Sequence, residues 1–280
     1  MKDPGPGAPS GKGAPAESVD GKGTDARFER SRLLDPRKER KGRNRWRQLV
    51  AAAERICPEA LEGPVLEFGF GIGHFLLEGL RMGLDVWGVD RRTTKAQRYL
   101  RLLEYRSAPE CWKHRAVVAH GEDLPLPSSR FSAVASWYVL EHVEKPGGIL
   151  REWVRILRPG GLIAVKAQDA RNGWEGHYKV PWMPFLAGRL ADAWLEAFGK
   201  ARDPEKDVFE VTQPQIAAVL ETLGCRVVEA AAPPQNLFAG IEPPTTPDQA
   251  RAAGREVRMR WEAGTWKAQP ENLHLYAVKR

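Results

Sequence analysis

The sequence predicts an α/β fold: a doubly wound, mostly parallel sheet with helices on both faces and an antiparallel pair at one edge. Three observations carry this expectation. Residues 65–82 read as a strand, a glycine-paved turn and a helix. Short apolar runs then alternate with helical periodicity through residue 167, the pattern of a parallel sheet built from right-handed crossovers. Finally, 280 residues, 42% of them hydrophobic, suit one such domain with additions.

Residues 37–56 are expected to be helical because Trp46, Leu49, Val50, Ala53 and Ile56 recur at three- and four-residue spacing. Pro58 and Gly63-Pro64 end that segment. The first strand, at about 64–69, offers Val65, Leu66 and Phe68 to a sheet with apolar neighbours on both faces. Gly69, Gly71 and Gly73 then let the backbone take φ > 0 or approach a ligand closely. Leu76, Leu77, Leu80 and Met82 form the apolar stripe of the following helix. Asp85–Asp90 is a second strand ending in a carboxylate, followed by a helix at about 93–105. The third, fourth and fifth strands are read at 116–119, 132–137 and 162–167. A helix at 146–157 precedes the fifth and is broken by Arg158-Pro159-Gly160-Gly161.

Residues 170–212 depart from this rhythm. They are rich in aromatic residues and proline (Trp174, His177-Tyr178, Trp182, Phe185) and contain a helix at about 187–199. This is expected to be an insertion or lid. Residues 213–280 then complete the sheet, with a helix at 213–222, strands at 225–230 and 273–278, and helical character over 247–261. The seven strands divide the chain into a core at 59–169, the insertion at 170–212 and the remainder of the sheet at 213–280.

Two segments precede that core. Residues 1–26 are rich in Gly, Pro, Ala and Lys without apolar periodicity and read as a disordered tail. Residues 27–58 form a basic helical arm. Ten Lys/Arg and three acids fall in 27–47, which accounts for the whole net charge of +7. A solvated arm is preferred over a nucleic-acid grip, since only Trp46 is available there for stacking. Three cysteines, far apart and odd in number, argue against a disulfide framework or a zinc site. No apolar run is long enough for a membrane span and no secretory signal is visible, so a cytoplasmic protein is expected.

The ligand of the glycine turn follows from its spacing. Dinucleotide sites use G-x-G-x-x-G. Here the third glycine comes one residue early, His74 stands in its place, and Glu67 precedes the turn by two residues. A carboxylate there repels a pyrophosphate and suits an ammonium or a sulfonium. Glu67-x-Gly69-x-Gly71-x-Gly73 resembles the first motif of class I S-adenosylmethionine-dependent methyltransferases. Asp90, 21 residues after Gly69, stands where that family places its ribose-binding carboxylate. Gly121–Pro127, Trp137–Val143 and Leu157–Leu162 resemble the small-molecule, type 11-like branch in order and spacing. The resemblance covers residues 45–168 well and 206–278 weakly.

That resemblance implies a Rossmann-like seven-stranded sheet and S-adenosylmethionine as cofactor. Backbone at Gly69, Phe70 and Gly71 would approach its methionine part, and Glu67 would anchor the turn or the amino group. Gly73 would serve the turn or helix–strand packing. Asp90, with Arg91 beside it, would hold the ribose, while His120, Gly121 and Glu122 would frame the adenine. The family often has an acid where His120 stands. A neutral imidazole can accept one hydrogen bond there, with Glu122 or a backbone carbonyl as the alternatives. Trp137 would line the methionine pocket or belong to the core.

Methyl transfer to a hydroxyl calls for a base at the carboxyl ends of the strands. His142, after the fourth strand, and the His177–Tyr178 pair in the insertion are the candidates, with Glu141 and Asp169 as further polar groups. No metal-ligand cluster is evident. The expected activity is methylation of a small-molecule or glycan acceptor, most simply at oxygen. An RNA methyltransferase using the basic arm and a non-catalytic cofactor-binding scaffold are the alternatives.

Overall fold

The computed structural model describes residues 26–171, 173–184, 186–203, 209, 211–230, 238, 240–264 and 273–280. The expectation of a disordered tail falls on residues outside these, apart from Ala26.

Seven strands form one sheet: β1 (Val65–Phe68), β2 (Val86–Asp90), β3 (Ala116–Val118), β4 (Phe131–Trp137), β5 (Leu157–Ala167), β8 (Cys225–Ala230) and β9 (Leu273–Lys279). Their order is β3-β2-β1-β4-β5-β9-β8. The pairs from β3 through β5 are parallel, whereas β9 runs antiparallel to both β5 and β8. The antiparallel strand is therefore inserted one position in from the edge. β5 begins earlier than its apolar run suggests. Arg158–Gly161 stay in the strand, with a register shift between Phe131 and Ala133 of β4, and the preceding helix ends at Ile156.

Strand order reverses at β1. The chain runs β1, β2, β3 to one side and resumes with β4 on the other. In open α/β sheets the crevice beyond the carboxyl ends of the strands at such a reversal is where ligands bind.

Side chains alternate across a strand, so β1 feeds two cores. Val65 faces α2 (Pro36–Ile56), α3 (His74–Arg81) and α4 (Thr93–Tyr105), joining Trp46, Leu49, Phe75, Leu76, Tyr99 and Leu102. Leu66 and Phe68 face α5 (Pro146–Ile156) and α7 (Gln213–Thr222), joining Leu150, Trp153, Ile216 and Leu220.

The N-terminal arm is not the solvated segment that its charge suggests. α1 (Ala26–Leu33) and α2 carry buried Leu33, Trp46, Leu49, Ala52 and Ala53. Trp46 stacks on Phe75 with ring centroids 4.2 Å apart and donates its indole N–H to the Phe75 carbonyl at 2.7 Å. Gly42 allows this approach, since a Cβ there would lie 2.8 Å from the His74 carbonyl oxygen. Glu29 pairs with Arg101 and Glu39 with Arg106, which ties the arm to α4. Most of the arm's basic residues remain on its outer face. Full burial of a large apolar side chain contributes about 1.5–3 kcal/mol, so Trp46 and Leu49 are major anchors of α2.

A third, smaller core lies beyond β5. The short hairpin β6 (Trp174–Glu175) and β7 (Val180–Pro181) leads to α6 (Gly188–Ala197). Val180, Met183, Leu186, Trp194 and Leu195 pack there with Val257 of α8 (Pro247–Glu262). The insertion therefore shares its core with a helix that enters from between β8 and β9. No described helix is long and apolar enough to cross a membrane.

Candidate functional site

A cleft of about 880 Å³ opens at the carboxyl ends of β1, β2 and β4. It is lined by Gly69 and Gly71 of the turn, Asp90 and Arg91 after β2, and His120, Gly121 and Glu122 after β3. Tyr138, Val139 and His142 follow β4 into it, and His177 reaches it from the insertion. Four stretches of the core and one histidine of the insertion thus converge on a single space.

The turn after β1 is built by left-handed backbone, with φ of +78° at Gly69 and +59° at Gly71. At Gly71 a Cβ would meet nothing within 4 Å, so the open space beside that backbone is the cleft itself. The Gly71 N–H donates to Asp90 Oδ2 and the Arg92 N–H to Asp90 Oδ1, each at 3.0 Å. These bonds fix the carboxylate at the cleft wall. An ionised carboxylate has about four acceptor positions, so two remain for a ligand's hydroxyls.

Glu67 does not line the cleft. It shares a strand face with Val65 and is fully buried beneath α2 and α3. Burial pushes its carboxyl up to about 8, against the pull of Arg45 and of the Leu76 N–H. The cation paired with it is Arg45, whose Nη1 lies 3.7 Å from Oε1. The Arg45 guanidinium also lies 5.9 Å from the centroid of the Trp137 ring. A residue of the basic arm thus stands over the turn, which the arm's overall charge pattern concealed.

Three other sequence candidates take structural places. The Phe70 ring is buried against Gly88 and edge-on to Tyr99. Gly73 sits where a Cβ would lie 2.4 Å from the Tyr99 ring, so it serves packing. Trp137 is buried beside Phe75, and it is Tyr138 that lines the cleft. Tyr138 has φ +61°, an uncommon conformation for a residue with a side chain. Its N–H donates to the Lys166 carbonyl at 2.6 Å, which holds it there.

The polar groups facing the insertion form a cluster. The His142 and His177 rings meet edge to face with centroids 5.1 Å apart. His177 Nδ1 bonds Glu175 Oε1 at 2.9 Å, and Glu175 Oε2 accepts the N–H groups of His177 and Tyr178. Glu175 is fully buried; burial raises its pKa, but the bonds from His177 and Tyr178 outweigh this and hold it below the usual carboxylate range. A carboxylate at Nδ1 selects the tautomer protonated there and makes Nε2 the basic nitrogen. Sequence reasoning passed over Glu175. Its two-residue spacing from His177 becomes a signal only once the β6–β7 turn is known.

Glu141 is also buried, and burial pushes its carboxyl up to about 7, opposed by backbone N–H groups and His177 and reinforced by Glu175. Tyr178 is turned aside: its hydroxyl oxygen accepts the Asp203 N–H at 2.8 Å. Asp169 does not face an acceptor. It bonds Arg171 at 2.7 Å and accepts the Gln213 N–H at 3.1 Å, joining the end of β5 to α7. Among the described residues no group of His, Cys, Asp and Glu could hold a metal ion.

Residues 66–165 match the model of a family described as a methyltransferase domain. An uncharacterized methyltransferase of Mycobacterium sp. (strain JLS) is 30% identical over 155 residues, 54% of this chain and 58% of the relative. The human thiol S-methyltransferase TMT1B is 29% identical over 172 residues, 59% of this chain and 62% of the relative. The chain thus spans less than two thirds of either protein. Among solved structures, a putative S-adenosylmethionine-dependent methyltransferase from Listeria monocytogenes matches with a TM-score of 0.51 and 13% identity. That match covers 86% of this chain and 98% of that one, a likeness of fold.

Proposed function

We propose that the chain, whose residues 66–165 match a methyltransferase-domain family, is a class I S-adenosylmethionine-dependent methyltransferase that methylates a hydroxyl of a small-molecule acceptor, using His177 as general base. The observation that carries the proposal is the convergence of the turn and its fixed Asp90 carboxylate with the His177–Glu175 pair in one cleft.

The residues present fit the cofactor. Gly71 leaves backbone open to the cleft, Asp90 keeps acceptor capacity for ribose hydroxyls, and Gly121 and Glu122 stand at the adenine side. When bound, S-adenosylmethionine supplies a methyl group already activated on a sulfonium.

What the chain must add is alignment, worth roughly 7–11 kcal/mol of barrier, and a base, worth about 10²–10⁴-fold. His177 would take the acceptor proton at Nε2. Glu175 would hold the ring and stabilise the imidazolium that forms.

A thiol acceptor is the second reading, favoured by the likeness to a thiol S-methyltransferase. A thiol ionises near pH 8.5 and needs less help from a base. His177→Ala, assayed with matched alcohol, phenol and thiol panels, tests both readings. The proposal expects loss of about 10²-fold or more with hydroxyl acceptors and unchanged affinity for demethylated cofactor. Equal turnover by wild type and variant on every hydroxyl acceptor would refute it. The packing of α2 gives the arm a structural role, and this favours a small acceptor over RNA.

A further inference from the structure

A second cavity, of about 600 Å³, lies beside the cofactor cleft. The larger part of its wall is apolar: Trp182, Leu186, Ala191 and Leu195 come from the insertion, and Val211 and Ile216 from the start of α7 and the residues before it, while Arg202 and Gln215 add polar groups. It is continuous in its walls with the cleft. Glu144 and Phe209 line both spaces. Glu175 lines the second cavity and holds His177, which lines the first.

We propose that this cavity is the acceptor compartment, and that it selects a small molecule with an apolar body whose nucleophilic head is presented to His177. The inference rests on the methyl-transfer reading and adds the substrate class. Its volume falls within the range of small-ligand pockets, about 300–1,000 Å³. An apolar wall offers little to a sugar, whose hydroxyls need partners when they leave water. The wall therefore argues against the glycan acceptor that the aromatic residues of the insertion suggested. A nucleotide is disfavoured for the same reason. Apolar contact alone would not orient a substrate. Orienting contacts are available at the junction, where Glu175 fixes the His177 ring, and from Arg202 and Gln215 in the wall.

The test uses the full chain and 4-alkylphenols from ethyl to hexyl, titrated calorimetrically with demethylated cofactor bound. The expected result is a Kd that falls about fourfold per added methylene, with the phenols methylated when S-adenosylmethionine is supplied. Ala187→Trp should fill the cavity from an exposed position before α6, weakening hexylphenol at least tenfold, about the loss of two buried methylenes. Val219→Trp approaches from α7 and should do the same, so the outcome does not depend on one variant folding.

Demethylated-cofactor affinity is measured in parallel. Its loss in wild type would sink the methyl-transfer reading, whereas its retention isolates the acceptor question. Absence of any chain-length dependence in wild type overturns the proposal. So does hexylphenol binding that neither tryptophan disturbs. A concentration-dependent dimer that the alkylphenols fail to perturb would give the cavity to a second copy and equally overturn it.

Discussion

Replacing Glu67 by Gln tests the electrostatics of the turn most directly. Folded, the buried carboxyl keeps its proton up to about pH 8, against an ordinary value of 4.5. Between those values the unfolded chain is ionised and the folded protein is protonated. Stability from this group is therefore fully present below pH 4.5 and is lost as pH rises toward 8. At pH 7, about 2.5 pH units above the unfolded value and at about 1.4 kcal/mol per unit, the loss is about 3 kcal/mol. Glutamine does not titrate, so the stability difference between variant and wild type should move in the variant's favour by that amount between pH 4.5 and 7. Urea unfolding at a series of pH values, without cofactor, reads it directly. Parallel pH profiles for the two proteins would refute the assignment of a protonated, buried Glu67.

Other perturbations separate cofactor binding from packing. Asp90→Asn should weaken binding of the demethylated cofactor about 10- to 100-fold, because bonds to a charged acceptor are worth about 1.5–3 kcal/mol; the melting temperature should also fall modestly, since the Gly71 or the Arg92 N–H loses its acceptor. Gly71→Ala should cost about 1–2 kcal/mol of stability for its left-handed backbone and remove cofactor affinity, since the added methyl group enters the cleft. Gly73→Ala should instead act on stability, through overlap with the Tyr99 ring, and a calorimetric melt distinguishes the two. Glu175→Gln should lower kcat and shift its acidic limb to lower pH, because His177 loses the carboxylate that stabilises its charged form. An unchanged pH profile would show that Glu175 only braces the hairpin.

The core of the fold was legible because its signals are local. The boundaries of α4 follow from apolar spacing, and the turn after β1 from its glycines. Assigning side chains to the cleft was harder. Whether Phe70, Gly73 and Trp137 face a ligand or the core depends on what α2 and α4 bring against them, and neither helix is near them in sequence. The same limit hid Arg45, which is one cation among ten until α2 docks and places it over Glu67. Glu175 escaped notice because its role depends on a two-strand hairpin whose strands have only two residues each.

The position of β9 has a consequence for how the chain acquires its shape. It is the last of the seven strands to be made, yet it lies inside the sheet with a neighbour on each side. Until it arrives, β5 presents a bare edge of backbone donors and acceptors, and β8 has no strand beside it. The five-stranded parallel half can pair as it is synthesised, but α7 and β8 gain their final partners only when β9 enters the gap. Closing such a distant contact is slow, and an open edge is meanwhile a template for association with other chains. Completion of the acceptor wall, which rests on α7 and on the core shared by α6 and α8, is therefore tied to a late event, and a weakened β9 should appear first as aggregation of nascent protein rather than as a lower melting temperature of the finished fold.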